Sequence, residues 1–260
     1  MAFENILVEV ADGVGRVTVN RPKVLNALNA QTIGELECAF GQLRDDDSVR
    51  VVLVTGAGDK AFVAGADINE LAKLQPLEAK AVAARGQAAF RALEDMGKPS
   101  VAMINGFALG GGCELALACT LRTASSAARL GLPEVSLGLL PGYGGTQRLA
   151  RVAGVGVARE WVLTGDMFSA DQAHEAGVVN RVFAPEELEE GTAKLVKSLL
   201  SRGPLALSFA MQAISRGINM SQADGEALET DMFGLAATTD DMREGLTAFL
   251  EKRKPDFQGR

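Results

Sequence analysis

The chain has 260 residues, 47% of them hydrophobic and 23% charged, which excludes a mainly disordered chain and allows a sizeable buried core. Its 26 Lys and Arg against 33 Asp and Glu give a formal net charge of −7, so a general electrostatic footprint for nucleic acid or an anionic membrane is missing. Three cysteines without C-x-x-C spacing and a single histidine, His174, argue against a disulfide framework, a zinc ribbon or any metal site built from several imidazoles.

The opening residues Met1-Ala2-Phe3-Glu4-Asn5-Ile6 lack the basic start and apolar stretch of a signal peptide, and no apolar run approaches the roughly 18 residues of a membrane span. With unpaired cysteines, this predicts a cytoplasmic protein that meets no membrane. Ile6 to Val10 and Arg16 to Asn20 are β-branched runs around Ala11-Asp12-Gly13-Val14-Gly15, which predicts a hairpin. From Leu28 to Leu43, Ile33, Leu36, Phe40 and Leu43 recur at helical spacing; Val49 to Thr55 is then an apolar run of strand length. Asp67 followed by Glu70 resembles a capping box and predicts a helix start near Ala66. Leu77 to Met96 reads as an amphipathic helix ended by Gly97-Lys98-Pro99, and Ser100 to Asn105 as a strand.

Gly110-Gly111-Gly112 predicts a second helix start, entering the apolar stretch Cys113 to Cys119, with a strand at Leu121 to Ala124. Beyond Tyr143 the pattern is helical as far as Lys252, with one strand candidate at Val178 to Val182. The expected class is α/β, a β/α core followed by a helical extension.

Three successive glycines at a helix start are costly unless something approaches the backbone closely. The N–H groups there can hold a phosphate or a developing oxyanion, with a second donor from the helix start at Ala66. No P-loop or dinucleotide fingerprint is present, so nucleotide chemistry is disfavoured; tight helix-to-sheet packing remains open. Glu114 and Glu134 both lie among apolar neighbours. Converging on one pocket, they would raise each other's pKa and supply an acid and a base around one water. Alternatively, Glu134 caps a turn and Glu114 pairs with an arginine such as Arg148. His174 falls in a short helix capped by Ser169, with no nucleophile elbow to serve, and reads as structural.

The segments Lys60-Ala61-Phe62-Val63-Ala64-Gly65-Ala66-Asp67-Ile68, Asn105 to Ala116 and Gly131-Leu132-Pro133-Glu134 resemble the enoyl-CoA hydratase (crotonase) family in order and spacing. Asn20 to Leu28, Pro141 to Leu149, Leu163-Thr164-Gly165 and Ala248 to Arg253 extend the likeness nearly end to end. The resemblance implies a spiral of ββα turns carrying the active site over residues 1–195. It also implies a helical trimerisation region over 196–260, in a homotrimer or homohexamer.

By the same resemblance, the backbone N–H groups of Ala66 and Gly111 form an oxyanion hole. Glu114 and Glu134 act on a catalytic water that Gly142 helps to place. Arg21, Lys23, Ala64, Ala66, Asp67, Ile68 and Gly111 contact an acyl-CoA thioester substrate, and Phe249 and Lys252 reach a neighbouring subunit's ligand. No cofactor and no metal are implied, CoA being part of the substrate.

Retention of both glutamates points to hydration of a short 2-trans-enoyl-CoA. Alternatives within the family are a branched or dicarboxylic (methylglutaconyl-CoA) hydratase and a Δ3,Δ2-isomerase. An RNA-binding member is disfavoured, because Glu78, Glu94 and Asp95 interrupt the cations Lys73, Lys80, Arg85, Arg91 and Lys98, and no nucleic-acid partner is expected. Two departures from the family pattern stand out: Thr120 where many members carry Asp, and Tyr143 where a smaller residue is common.

Overall fold

In the computed structural model, which describes residues 3–260, the chain opens with the expected hairpin, β1 (Ile6–Ala11) antiparallel to β2 (Val14–Val19). Met1 and Ala2, part of the segment read for a signal peptide, lie outside the described residues. Helix α1 (Ala30–Asp45) follows, its first turn capped by Asn29, whose side chain accepts from the Thr32 N–H at 2.8 Å. It buries Ile33, Leu36, Phe40 and Leu43, the four residues whose spacing predicts it.

A repeating pattern then sets in. Strand β3 (Val51–Gly56) enters one sheet, the three-residue β4 (Ala61–Val63) enters another, and helices α2 (Ile68–Leu71) and α3 (Pro76–Glu94) complete the turn. Strand β5 (Ser100–Ile104) and β6 (Phe107–Leu109) repeat the move and lead into α4 (Gly111–Ala118). Strand β7 (Leu121–Ser125) and β8 (Arg129–Gly131) lead into α5 (Gly145–Thr164). The two-residue β9 (Phe168–Ser169), α6 (Ala170–Glu175), β10 (Arg181–Phe183) and α7 (Leu188–Leu200) come next.

One sheet therefore runs β1-β2-β3-β5-β7-β10, parallel except for the opening hairpin, and the other β4-β6-β8-β9, parallel except at β9. Successive strand pairs contribute one strand to each sheet before a helix returns the chain, which is a spiral of ββα turns. Strands β3 and β5 are buried at every position, as expected for parallel strands covered on both faces.

Two expectations need correction. The strand placed at Val178 to Val182 lies at Arg181–Phe183; Val178 and Val179 are buried in the turn before it, their N–H groups bonded to the Ala173 carbonyl. The capping box at Asp67 does not close. Asp67 caps through the Asn69 N–H, but the Glu70 carboxylate accepts from Ala30, and the helix stops after one turn. His174 is structural as expected: its Nδ1 lies 2.8 Å from the Val179 carbonyl oxygen, in the helix capped by Ser169.

The chain divides into two units. The larger runs to Met96 and resumes over Ser100–Ala193; the smaller comprises Gly97–Pro99 and Lys194–Arg260. The smaller holds α8 (Pro204–Gly217), α9 (Gln222–Ala236) and α10 (Asp240–Leu250). Here the buried Asp241 carboxylate accepts from the Gln258 and Gly259 N–H groups, fastening the tail to α10. Ile214, Phe233, Phe249 and Leu250 are all exposed on this unit. Among the described residues no helix is long and apolar enough to cross a membrane, and no cluster of His, Cys, Asp or Glu could hold a metal ion.

Candidate active site

The glycine triplet divides its duties. Gly110 adopts φ 50° as the residue before α4, a conformation L side chains rarely take. A Cβ on Gly112 would overlap the Val63 carbonyl of β4, so close helix-to-strand packing accounts for that position. Between them, Gly111 opens the helix, and its N–H takes no acceptor among the described residues, as first-turn amides do.

Ala66 offers a second free N–H. It too follows a glycine with positive φ, Gly65 at 119°, and a single parallel β-bridge to Leu28 fixes its segment. Ala64 and Asp67 on either side give their N–H groups to Leu25 and Leu28 at 3.0 and 2.8 Å, leaving that of Ala66 uncommitted among the described residues. The two segments approach closely: a Cβ on Gly110 would lie 3.7 Å from the Gly65 Cα. The N–H groups of Ala66 and Gly111 thus both lack an acceptor among the described residues.

Glu114, in the first turn of α4, is only 1% exposed. Its Oε1 accepts from the Tyr143 and Gly145 N–H groups at 2.8 and 2.7 Å. Burial pushes its pKa up to about 7, with repulsion from Glu134 adding to the rise and the two N–H donors restraining it. It does not take the Arg148 partnership left open above. Arg148 holds Glu94 instead, at 2.7 Å and 2.5 Å, and donates to the Tyr143 carbonyl at 2.6 Å.

Glu134 sits in a short 3-10 turn, Pro133–Leu137. Its Oε1 packs against the α-carbon of Gly110, at 2.9 Å from where a Cβ would be, and its Oε2 is buried with no hydrogen-bond partner among the described residues. Burial raises this carboxyl above its ordinary range as well. Both carboxyls therefore have raised pKa values, Glu134 against Gly110 and Glu114 against Gly145, with Glu134 adding to the rise at Glu114. Gly142 lies next to Tyr143, its carbonyl accepting from Gln87 at 2.9 Å and its N–H free of any acceptor among the described residues.

A cavity of about 270 Å³ opens beside Ala66, lined by Leu28, Ile33, Leu74, Val82 and Tyr143, with Asp67 and Arg85 among its polar neighbours. Of the residues expected at CoA, Ala66 and Asp67 line this cavity. Arg21 bonds to the Ala27 carbonyl and pairs with Asp67 at 3.2 Å, so its guanidinium braces the Ala66 segment. Burial opposes ionisation of Asp67, but Arg21 and Asn69 outweigh it and hold the carboxyl below its ordinary value. Lys23 and Ile68 are exposed, and Ala64 is half-buried. Phe249 and Lys252 belong to the helical unit, both exposed.

Sequence reasoning missed the apolar lining of the cavity and the hold of Arg148 on Tyr143. Leu28, Ile33 and Val82 carry only the helical or core signal shared by many residues, so nothing in their spacing marks a binding wall. Tyr143 is visible as a departure from a family pattern, but its packing partners lie far away in the chain.

The enoyl-CoA hydratase/isomerase family model matches residues 9–260. A crotonyl-CoA hydratase of Syntrophomonas wolfei is 46% identical, covering 99% of each chain, and a short-chain-enoyl-CoA hydratase of Clostridium acetobutylicum is 44% identical, covering 98% of this chain and 97% of its own. The crystal structure of an enoyl-CoA hydratase from Bacillus anthracis superimposes with a TM-score of 0.95 at 40% identity, over 99% of this chain and all of its own. With the ββα spiral in place, these likenesses show that the chain belongs to the enoyl-CoA hydratase/isomerase family.

Proposed function

We propose that the protein is a short-chain enoyl-CoA hydratase, a hydro-lyase that adds water reversibly and syn across the 2,3 double bond of a 2-trans-enoyl-CoA to give the 3-hydroxyacyl-CoA. The observation that carries this reading is the pair of carboxyls, the buried Glu114 and the half-buried Glu134, together with the backbone N–H groups of Ala66 and Gly111, which take no acceptor among the described residues. The full-length relatives in Syntrophomonas and Clostridium, named for crotonyl-CoA and short-chain enoyl-CoA, support the substrate class.

The chemistry follows from charge development. As water attacks C3, electrons of the conjugated system move onto the thioester oxygen, where the Ala66 and Gly111 N–H groups receive them. Each such preorganised donor is worth roughly 10²–10³ in rate. Glu114, oriented through Oε1 by Tyr143 and Gly145, uses its other oxygen to take a proton from the water, which the free N–H of Gly142 helps to hold. Glu134, whose pKa burial raises, serves as the acid that delivers a proton to C2 as the enolate collapses. Once the proton gained by Glu114 is exchanged back to Glu134 through solvent, atoms and charge balance with water alone, so neither metal nor redox cofactor enters the scheme. An isomerase needs only one of these carboxyls, and keeping both favours hydration.

The exposed Lys23 and Ile68, with Ala64 and the Arg21–Asp67 brace, would receive the CoA handle. The exposed apolar side chains of the helical unit, residues 196–260 in this reading, fit assembly into trimers or paired trimers, with Phe249 and Lys252 offered to a neighbouring subunit's ligand. Free thiols at Cys38, Cys113 and Cys119 fit a reducing, cytoplasmic setting.

The test is the loss of conjugated enoyl-thioester absorbance with crotonyl-CoA. Rapid hydration by the parent and a fall of about 10²–10⁴ in both Glu114→Gln and Glu134→Gln is the expected result. A parent that leaves crotonyl-CoA untouched, or a Glu134→Gln variant with full hydration activity, would overturn the reading.

A further inference from the structure

Tyr143 is tied to the site through every part of its structure. Its N–H holds Glu114 at 2.8 Å and its carbonyl is held by Arg148 at 2.6 Å. Its ring, 7% exposed, stands edge-on to Phe90, with centroids 5.7 Å apart and planes at 87°.

The ring also occupies the space of two missing side chains. A Cβ on Gly86 of α3 would overlap its Cδ1 edge, and a Cβ on Gly111 would come within 3.2 and 3.3 Å of Cδ2 and Cε2 on the opposite edge. It therefore spans from α3 to the residue whose N–H is the proposed oxyanion donor, and backbone on both sides prevents it from swinging away. The same ring lines the 270 Å³ cavity together with Leu28, Ile33, Ala66 and Val82. Its hydroxyl makes no hydrogen bond among the described residues.

We infer that Tyr143 is a specificity-determining residue, its ring being the wall that limits the acyl chain and confines the site to short 2-enoyl thioesters. This inference rests on the hydratase reading above, which places the thioester oxygen between Ala66 and Gly111. From there the growing end of the acyl group meets a flat ring clamped by Gly86, Gly111 and Phe90. A methylene that does not fit an apolar pocket costs about 10–200-fold in kcat/KM. Steric exclusion resides in the ring, so the hydroxyl should be dispensable for it.

Turnover of crotonyl-CoA and trans-2-decenoyl-CoA, compared across the parent, Tyr143→Phe and Tyr143→Leu, tests the wall. The expected result is a parent that strongly prefers crotonyl-CoA. Tyr143→Leu should raise the decenoyl-to-crotonyl ratio of kcat/KM by about tenfold or more, mainly through KM, while Tyr143→Phe keeps the parent's ratio. A Tyr143→Leu protein active on crotonyl-CoA with the parent's ratio would overturn the inference. Calorimetric binding of the unreactive butyryl-CoA and decanoyl-CoA to the parent decides it without turnover or any variant. Much tighter binding of butyryl-CoA supports the wall, and equal or tighter binding of decanoyl-CoA removes it. A parent that discriminates in binding yet hydrates neither enoyl thioester would instead sink the hydratase reading alone.

Discussion

Glu114 and Glu134 stand in opposite kinds of surroundings. Glu114 projects from the first turn of α4 into two N–H groups of the Tyr143–Gly145 segment and is nearly sealed from solvent. Glu134 projects from a short 3-10 turn, is half-buried, and leaves one sealed oxygen with no partner. Backbone dipoles replace water around the first carboxylate, so it can carry charge in one fixed orientation. Nothing replaces water around the buried oxygen of the second, so its neutral form is favoured. The two carboxyls thus differ in depth as well as in donors: burial is what lifts Glu114 most, its two N–H donors restraining the rise, and burial lifts Glu134 as well.

The harshest way to break this contrast is to neutralise both groups. Glu114→Gln/Glu134→Gln should be slower than the worse single variant by less than about tenfold, although each single change costs about 10²–10⁴, because groups that act as a unit are non-additive. Single-turnover hydration of crotonyl-CoA would reveal independent contributions if the losses multiplied.

Stability provides a second probe. A carboxyl whose folded pKa is raised from 4.5 to about 7 favours the fold fully below pH 4.5, and that contribution is lost as pH rises through 7. Glu114→Gln, which never ionises, should therefore be more stable than the parent at pH 8, by up to about 3 kcal/mol, and the gain should vanish near pH 4. Denaturant midpoints at the two pH values measure this; a variant less stable than the parent at pH 8 would contradict it. The same rise should place the acidic limb of the kcat/KM profile near pH 7, where the base loses its charge.

Backbone substitutions separate the two settings. A Cβ at Gly145 would stand 2.8 Å from Glu114 Cγ, and one at Gly110 would stand 2.9 Å from Glu134 Oε1 at φ 50°. Gly145→Ala should displace the acidic limb of the pH profile. Gly110→Ala should move the alkaline limb and cost about 1–2 kcal/mol in stability, read by thermal unfolding. The smallest effect belongs to Glu94→Gln, which loosens Arg148 on the Tyr143 carbonyl. A partly exposed pair is worth about 0.2–1 kcal/mol, so crotonyl-CoA hydration should slow only severalfold at most.

Much of this contrast was legible before any coordinates. Glu114, Glu134, Ala66, Gly111 and Gly142 follow from motif positions, and α1, α3 and α4 follow from periodicity and glycine punctuation. The second sheet was not legible, because β4, β6 and β8 are three residues each and too short to express an alternation. Asp67 and Glu70 misled because a capping pattern is local, whereas Ala30 competes for the Glu70 carboxylate from a distant part of the chain. Glu114 looked like an ion-pair partner for Arg148 for a related reason. Only the folded chain brings Glu94 to Arg148 and the Tyr143 and Gly145 amides to Glu114. The wedge of Tyr143 between Gly86 and Gly111 leaves no pattern at all in the residues flanking any of the three.

The two amides without acceptors among the described residues, at Ala66 and Gly111, turn the site into its own reporter. Most amides around them are locked in strands, helices or the Leu28 bridge and give up their protons slowly to heavy water. These two have no such lock, so in the free protein their isotope exchange would be governed by solvent access alone. A thioester oxygen seated between them would slow both together while leaving the amides of Ala64 and Asp67 as they were. Occupancy of the proposed oxyanion hole could then be followed residue by residue in a protein that carries no label, no chromophore and no altered side chain.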